Sequence, residues 1–125
     1  MRIIMTLLCL LLASNAFAEL PSGSQASIQA ALVSGRPTLV DFGARSCIPC
    51  KKMAPILEQL EKEYKGRANV IFIDVWQDNK IGGSYRVQMI PTQIFFDAKG
   101  KEVSRHIGFL DRQPIIDTFQ KLGVK

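Results

Sequence analysis

The chain has 125 residues, which is enough for one domain and too few for two. Hydrophobic residues make up 47% of it and charged residues 22%, a composition that is typical of globular proteins and excludes a disordered or collagen-like chain. The formal net charge is +5, and the charged residues are scattered. Because no basic run is interleaved with aromatic residues, the sequence predicts no nucleic-acid partner.

Residues 1–18 have the pattern of a secretory signal peptide. A positive residue, Arg2, precedes a long apolar run, and residues 16–18 (Ala-Phe-Ala) have the small-x-small pattern of a cleavage site. We therefore expect cleavage before Glu19, export to the periplasm, and a single domain over residues 19–125. Two alternatives remain, a buried N-terminal helix of the domain and an uncleaved signal that anchors the protein to the inner membrane.

Hydrophobic periodicity and turn residues predict four helices and four strands beyond this segment. Residues 19–24 contain a proline and a glycine and are expected to form a mobile lead-in. The predicted elements are a helix over 25–34, a strand over 38–42, a helix over 47–64 with Pro55 inside it, a strand over 69–76, a short helix over 78–87, strands over 92–96 and 102–109, and a helix over 111–122. This order is typical of an α/β protein whose mixed sheet carries helices on both faces.

Two cysteines follow the predicted signal peptide, Cys47 and Cys50, and their spacing indicates chemistry. A loop this short closes too little chain to stabilise a fold. The pair follows a predicted strand and begins a predicted helix, where free N–H groups and the helix dipole stabilise a thiolate. Pro49 fits the first turn, where a missing N–H costs nothing. The positions predict disulfide exchange, with Cys47 as the nucleophile and Cys50 as the resolving residue.

Two other interpretations of the cysteine pair are open, a structural disulfide and a zinc site. Zinc prefers four ligands, and the only histidine is His106, so a zinc site would need carboxylates or a second molecule. We expect no metal, and no cofactor other than the redox-active disulfide. His106 itself is expected to be an exposed strand residue and not a catalyst.

The chain resembles thioredoxin-fold proteins over residues 36–123. The likeness is carried by TLVDFGA at 38–44, CIPCK at 47–51, Ala54-Pro55 and YRVQMIPT at 85–92. Several motifs in the right order make it specific, whereas a C-x-x-C alone is a weak signal. The resemblance implies a thioredoxin-like fold, with a central mixed β-sheet flanked by helices on both faces, and thiol–disulfide oxidoreductase activity.

The resemblance also implies a substrate groove. Pro91 would be a cis-proline and, with Ile90, would face the cysteines, where the backbone can pair with an extended peptide. The apolar residues of this docking surface would be Ile48, Pro49, Ile90, Ile107 and Gly108. The alternatives are that Pro91 is an edge-strand proline at the start of a strand and that Ile107 belongs to the core.

Asp41 lies among apolar residues in a predicted strand, so burial is expected to raise its pKa. The resemblance implies that it accepts the proton of Cys50; the alternative is a side chain that caps a neighbouring turn. Phe72 stands where many thioredoxins have a lysine that pairs with the buried aspartate. Without that cation we expect Asp41 to be harder to ionise.

Other departures from the family lie around the cysteines. Gly43 and Ser46 stand where thioredoxins usually carry tryptophans, which would open the groove and change the surface offered to partners. Ile48 replaces the usual glycine between the cysteines and adds an apolar contact. Arg45 is expected to stabilise the Cys47 thiolate from the loop side.

The sequence thus predicts a monomeric, exported reductase of disulfides in partner proteins. An oxidising compartment has no soluble reductant pool of its own, so the expected electron donor is a thiol-reductant conductor in the membrane, and the family likeness implies a role such as cytochrome c maturation. The alternatives are a periplasmic thiol oxidase or isomerase and a non-catalytic peptide-binding module. Against an oxidase, the Ile-Pro pair between the cysteines supplies no histidine to stabilise the reduced thiolate.

Overall fold

The computed structural model describes residues 19–125, which form one mixed four-stranded sheet with four helices. The strands are β1 (Thr38–Gly43), β2 (Asn69–Asp74), β3 (Thr92–Phe96) and β4 (Glu102–Ile107), and the helices are α1 (Gln25–Leu32), α2 (Ile48–Glu63), α3 (Asn79–Ser84) and α4 (Arg112–Lys121). The strand order is β2-β1-β3-β4, with β1 parallel to β2 and β3 antiparallel to both of its neighbours. The predicted α/β architecture is confirmed, while the predicted signal peptide lies outside the described residues.

The predicted elements are all present, and the differences are at their ends. The strand predicted to reach Trp76 ends at Asp74, because the Asp74 carboxylate accepts hydrogen bonds from the backbone N–H groups of Trp76 and Gln77, at 2.9 and 3.2 Å, and turns the chain. The short helix begins after its cap Asp78 and ends at Ser84, three residues earlier than predicted.

Each face of the sheet is covered by two helices. Along β1 the side chains alternate, so Leu39 packs with α2 and α4 on one face and Val40 packs with α1 and α3 on the other. The first cluster includes Leu39, Met53, Leu57, Leu60, Phe72, Phe95, Ile115 and Phe119, and the second includes Ile28, Val40, Phe42, Ile73, Ile81, Ile94 and Phe96. Position 41 therefore faces the layer that contains α2.

Residues 19–24 form an ordered segment, so the prediction of a mobile lead-in is wrong. Ser22 makes a parallel bridge to Phe72, and the backbone N–H of Gly23 donates to the Phe72 carbonyl at 2.7 Å. The Ser22 hydroxyl accepts a hydrogen bond from the N–H of Asp74 at 2.9 Å. This N-terminal segment covers the outer edge of β2. Without it, the backbone groups of that edge would be unpaired and exposed.

Glu58 departs from the predicted pattern of α2. The i,i+4 spacing of Glu58 and Lys62 predicts an ion pair on the solvent side of the helix, but Glu58 is only 4% exposed. The pair does form, at 3.3 Å, with Lys62 reaching out from the surface. Among residues 19–125, none of the helices has both the length and the apolar character that a membrane crossing requires.

Leu57 offers a test of the packing between α2 and the sheet. It is 1% exposed within the first cluster, so Leu57→Ala leaves a cavity and is expected to lower the free energy of unfolding by about 2–5 kcal/mol. Urea-induced unfolding measures the change. Gln59→Ala, at an exposed position of the same helix, is the control and should change it by less than about 0.5 kcal/mol. Equal effects of the two variants would contradict this packing.

Candidate active site

The two cysteines lie at the start of α2, just beyond the carboxyl end of β1. Cys47 is the N-cap of the helix and not its first residue as predicted, and its sulfur accepts the backbone N–H of Cys50 at 3.3 Å. The two residues are joined by a disulfide, with their Cα atoms 5.1 Å apart. A sulfur that accepts an N–H at a helix N-terminus is favoured as a thiolate when the disulfide is reduced.

The cysteines differ in their exposure. Cys47 is half-buried, whereas Cys50, one turn into α2, is only 4% exposed. Ile48 and Pro49 between them are both exposed, with Pro49 in the first turn as the sequence predicts. A partner molecule can therefore meet Cys47 and the Ile48-Pro49 surface, but it cannot reach the sulfur of Cys50 directly.

Asp41 is fully buried on the face of β1 that α2 covers. Burial raises the pKa of Asp41 to about 7, against a smaller opposing effect of a hydrogen bond from Gln93. Its Oδ1 accepts from Gln93 Nε2 at 2.9 Å, and its buried Oδ2 has no hydrogen-bond partner among residues 19–125. The raised pKa agrees with the sequence prediction. The bond goes to a side chain across the sheet and does not cap a neighbouring turn.

Gly43 shows how close Asp41 is to the cysteine pair. A Cβ atom added at Gly43 would lie 3.3 Å from the Cys50 sulfur and 3.4 Å from Asp41 Oδ2. Both atoms therefore border the same small space, which the missing side chain of Gly43 leaves free. The unpartnered carboxyl oxygen and the buried sulfur thus border one space, and a single water molecule there could carry a proton between them.

Gln93 was not among the predicted site residues. It is fully buried on β3, directly opposite Asp41, and its Oε1 lies 3.0 Å from Nδ1 of His106 on β4. His106 is exposed, as predicted, but it is hydrogen-bonded to a buried residue. The sequence did contain a signal, since Gln93 is a polar residue on the same face of the strand as Phe95 and directly precedes three apolar residues.

Pro91 lies at the same end of the sheet as the cysteine loop. The register pairs Phe42 at the end of β1 with Thr92 at the start of β3, and Pro91 immediately precedes Thr92. The Ile90–Pro91 bond is cis, as the resemblance implies. Pro91 is buried and its carbonyl accepts the N–H of Gly108 at 2.8 Å, which joins the beginning of β3 to the end of β4.

The predicted docking surface is apolar and mostly exposed. Ile48 is 72% exposed, Ile107 is 57% exposed and Ile90 is half-buried, so the alternative that Ile107 belongs to the core is wrong. Five further large apolar side chains are exposed that were not predicted to be, and these are Val33, Trp76, Met89, Val103 and Phe109. Trp76 was missed because it was assigned to a strand that in fact ends at Asp74.

Arg45 makes contacts that differ from the prediction. Its guanidinium binds the Glu19 carboxylate at 3.1 Å and the Leu20 carbonyl, and it lies 4.5 Å above the ring of Phe72. These bonds direct it to the N-terminal segment and not to the sulfur of Cys47.

Within residues 19–125 there is no group of three or more histidine, cysteine, aspartate or glutamate side chains that could hold a metal ion.

The chain is similar to known thioredoxins in both sequence and structure. The family model for thioredoxin matches residues 22–121. A thioredoxin from Staphylococcus aureus is 37% identical over 83 residues, which cover 66% of this chain and 79% of that protein. A mutant thioredoxin from Halobacterium salinarum NRC-1 superposes with a TM-score of 0.72 at 27% identity, covering 81% of this chain and 87% of the other. A chloroplastic thioredoxin z superposes with a TM-score of 0.72 at 28% identity, covering 85% and 96%. The predicted thioredoxin-like fold is confirmed.

The buried carboxyl group makes the stability of the protein depend on pH. The unfolded chain releases the Asp41 proton near the ordinary pKa of 3.8, whereas the folded chain retains it until about pH 7. The free energy of unfolding therefore falls as the pH rises across this interval, by up to about 4 kcal/mol from this group, and is constant above it. Asp41→Asn removes this contribution.

Urea-induced unfolding of the disulfide form, followed from about pH 4 to about pH 8, tests this expectation. The stability of the Asp41→Asn variant relative to the original protein should increase with pH. A difference between the two proteins that stays constant with pH would show that Asp41 ionises in the folded state as it does in the unfolded chain.

Proposed function

The chain belongs to the thioredoxin family and is a thiol–disulfide oxidoreductase, and from this premise we propose that it reduces the disulfides of partner proteins. The observation that carries the proposal is the unequal exposure of the cysteines at the start of α2. Cys47 is accessible and caps the helix, while Cys50 is buried beside Asp41. This arrangement separates the residue that meets the substrate from the residue that completes the reaction.

In the first step, the Cys47 thiolate attacks one sulfur of a partner disulfide. The partner S–S bond breaks, a bond forms between Cys47 and that sulfur, and the second partner sulfur leaves as a thiolate that takes a proton from solvent. The N–H of Cys50 and the N-terminus of α2 stabilise the attacking thiolate. Burial excludes Cys50 from this step.

In the second step, Cys50 resolves the mixed disulfide. Its thiol gives a proton to Oδ2 of Asp41, and the resulting thiolate attacks the sulfur of Cys47. The bond between Cys47 and the partner breaks, the partner leaves with a second thiolate, and the protein is left with the Cys47–Cys50 disulfide. With a pKa raised to about 7, Asp41 can accept a proton and release it again at neutral pH.

Apolar residues around Cys47 and Pro91 define the proposed substrate surface. Ile48 and Pro49 lie beside Cys47, and Ile90, Pro91, Ile107 and Gly108 lie at the same end of the sheet. An extended peptide with apolar side chains next to its cysteine fits such a surface, because its side chains bury area against the isoleucines while its backbone pairs with residues near Pro91. No cofactor is needed beyond the disulfide itself.

The cellular setting is part of the same proposal. The signal-like pattern of residues 1–18 supports export to the periplasm, with or without retention at the inner membrane. In that compartment the oxidised protein would be reduced again by a membrane conductor of thiol reductant, and cytochrome c maturation is one pathway that needs such a reductase. The protein would act as a monomer.

Replacing the resolving cysteine should trap substrates. With Cys50→Ala the mixed disulfide on Cys47 cannot be resolved, so a small disulfide-bonded protein such as insulin is expected to remain covalently attached. Non-reducing electrophoresis shows the adduct. Cys47→Ala is the matched control and should give no adduct, because Cys50 is buried. If partners bind equally well to a variant without either cysteine, the protein is a peptide-binding module and not a reductase.

The direction of electron flow is tested by the reduction potential of the Cys47–Cys50 pair. Equilibration of residues 19–125 with defined thiol buffers is expected to give a value near that of thioredoxin, about −270 mV. A value near −120 mV, roughly that of the strong periplasmic oxidant, would mean that the protein forms disulfides in its partners.

A further inference from the structure

Three polar side chains form a hydrogen-bonded row across the sheet. Asp41 on β1, Gln93 on β3 and His106 on β4 are direct cross-strand neighbours in the register. Asp41 Oδ1 is 2.9 Å from Gln93 Nε2, and Gln93 Oε1 is 3.0 Å from His106 Nδ1. The row begins at a carboxyl group with no exposed surface and ends at an exposed imidazole.

The chemistry of the glutamine amide fixes the direction of both hydrogen bonds. Nε2 can only donate, so it serves the Asp41 oxygen, and Oε1 can only accept. His106 must therefore carry its hydrogen on Nδ1, either as one neutral tautomer or as the imidazolium ion. Each bond draws electron density the same way along the row, so a donor at His106 strengthens the bond that Gln93 gives to Asp41.

We propose that His106 is a positioning residue for the resolving step, and that it acts through Gln93 to hold Asp41 with Oδ2 turned toward Cys50. The inference rests on the proposed role of Asp41 as proton acceptor. Because Oδ1 is held by Gln93, rotation of the carboxyl group is restricted, and Oδ2 stays at the space beside Gly43 that the Cys50 sulfur borders. Gln93 is in turn restrained by its bond to His106.

The row also replaces part of the stabilisation that a lysine would give to the Asp41 carboxylate. Phe72 is the neighbour of Asp41 on the β2 side, and its side chain offers no charge or hydrogen bond. Gln93, on the β3 side, donates a hydrogen bond to the carboxyl group. An amide carries no charge and stabilises a carboxylate less than an ammonium ion does. A histidine N–H behind the amide increases its donor strength at the edge of the sheet, without placing a cation in the core.

The charged groups around the row have partners of their own. On β4, Glu102 and Arg105 bind each other at 2.6 Å, and Arg105 also donates to the Tyr85 carbonyl. At the start of α4, the Asp111 carboxylate accepts the N–H of Arg112, and on α2 Glu63 binds the Arg112 guanidinium at 2.7 Å. On the face of the sheet that α2 covers, the charged side chains that line a pocket with Cys50 and Phe72 are Glu19, Arg45 and Lys51, and Arg45 pairs with Glu19 at 3.1 Å.

The resolving step can be timed separately from the first attack. A reduced protein that reacts with the aromatic disulfide of Ellman's reagent releases one thionitrobenzoate when Cys47 attacks and a second when Cys50 displaces the reagent from Cys47. Stopped-flow absorbance follows both phases over a range of pH. His106→Ala should slow the second phase by about fivefold at neutral pH and shift its rise to higher pH, with the first phase unchanged.

Two control variants distinguish positioning from a general structural effect. His106→Asn keeps an N–H close to the place of Nδ1 and should restore the second phase to within about twofold. Ser104 lies two residues earlier on the same face of β4, outside the row. Ser104→Ala should therefore leave both phases unchanged. Slowing of both phases alike, or no rescue by asparagine, would overturn the proposal.

Asp41→Asn separates this inference from the function on which it rests. If this variant slows the second phase and His106→Ala does not, Asp41 is the proton acceptor but His106 has no part in positioning it. If neither variant changes the second phase, the role of Asp41 fails and the positioning role fails with it. Slowing of the second phase by both variants, with rescue by His106→Asn, supports both.

Discussion

A buried carboxyl group that has no ion-pair partner among residues 19–125 is the feature on which the site depends. Asp41 lies in the apolar layer between the sheet and α2, where the ionised form loses most of its hydration. One amide hydrogen bond offsets part of this cost and leaves the pKa near 7. A group in this state changes its protonation easily at neutral pH, and such a group beside a buried thiol is suited to exchange a proton with it.

The architecture of the fold brings the thiol to that carboxyl group. β1 carries Asp41 and ends at Gly43, and the chain then turns into α2 with Cys47 as the cap. One helical turn separates an accessible sulfur from a buried one, so the two cysteines share a bond but not an environment. The absence of a side chain at Gly43 leaves a space that both Cys50 and Asp41 border.

Much of this could be predicted from the sequence, because the signals are local. The spacing of Cys47 and Cys50 at a strand-to-helix junction and the short apolar run of β1 each depend on a few consecutive residues. Gln93 could not be assigned to Asp41 in the same way. The two residues are 52 positions apart, and only the pairing of β1 with β3 makes them neighbours.

Three other errors have the same cause. Glu58 follows a helical pattern that favours solvent, yet the packing around α2 buries it. Residues 19–24 contain turn-forming residues, but the free edge of β2 supplies hydrogen-bond partners for Ser22 and Gly23 that a local pattern cannot reveal. Arg45 is directed away from the cysteines by this same segment. In each case a contact between distant parts of the chain outweighs a local preference.

The sheet has two edges, and they are not equivalent. Ser22 and Gly23 cover the outer edge of β2, whereas β4 has no neighbouring strand on its far side among residues 19–125, and all six of its residues are exposed. Such an edge offers free backbone groups to another chain, although its charged side chains oppose self-association. His106 belongs to this edge. A molecule that pairs with β4 would therefore lie beside the residue that is hydrogen-bonded to Asp41 through Gln93. The buried carboxyl group is thus linked through two hydrogen bonds to an exposed residue of this edge.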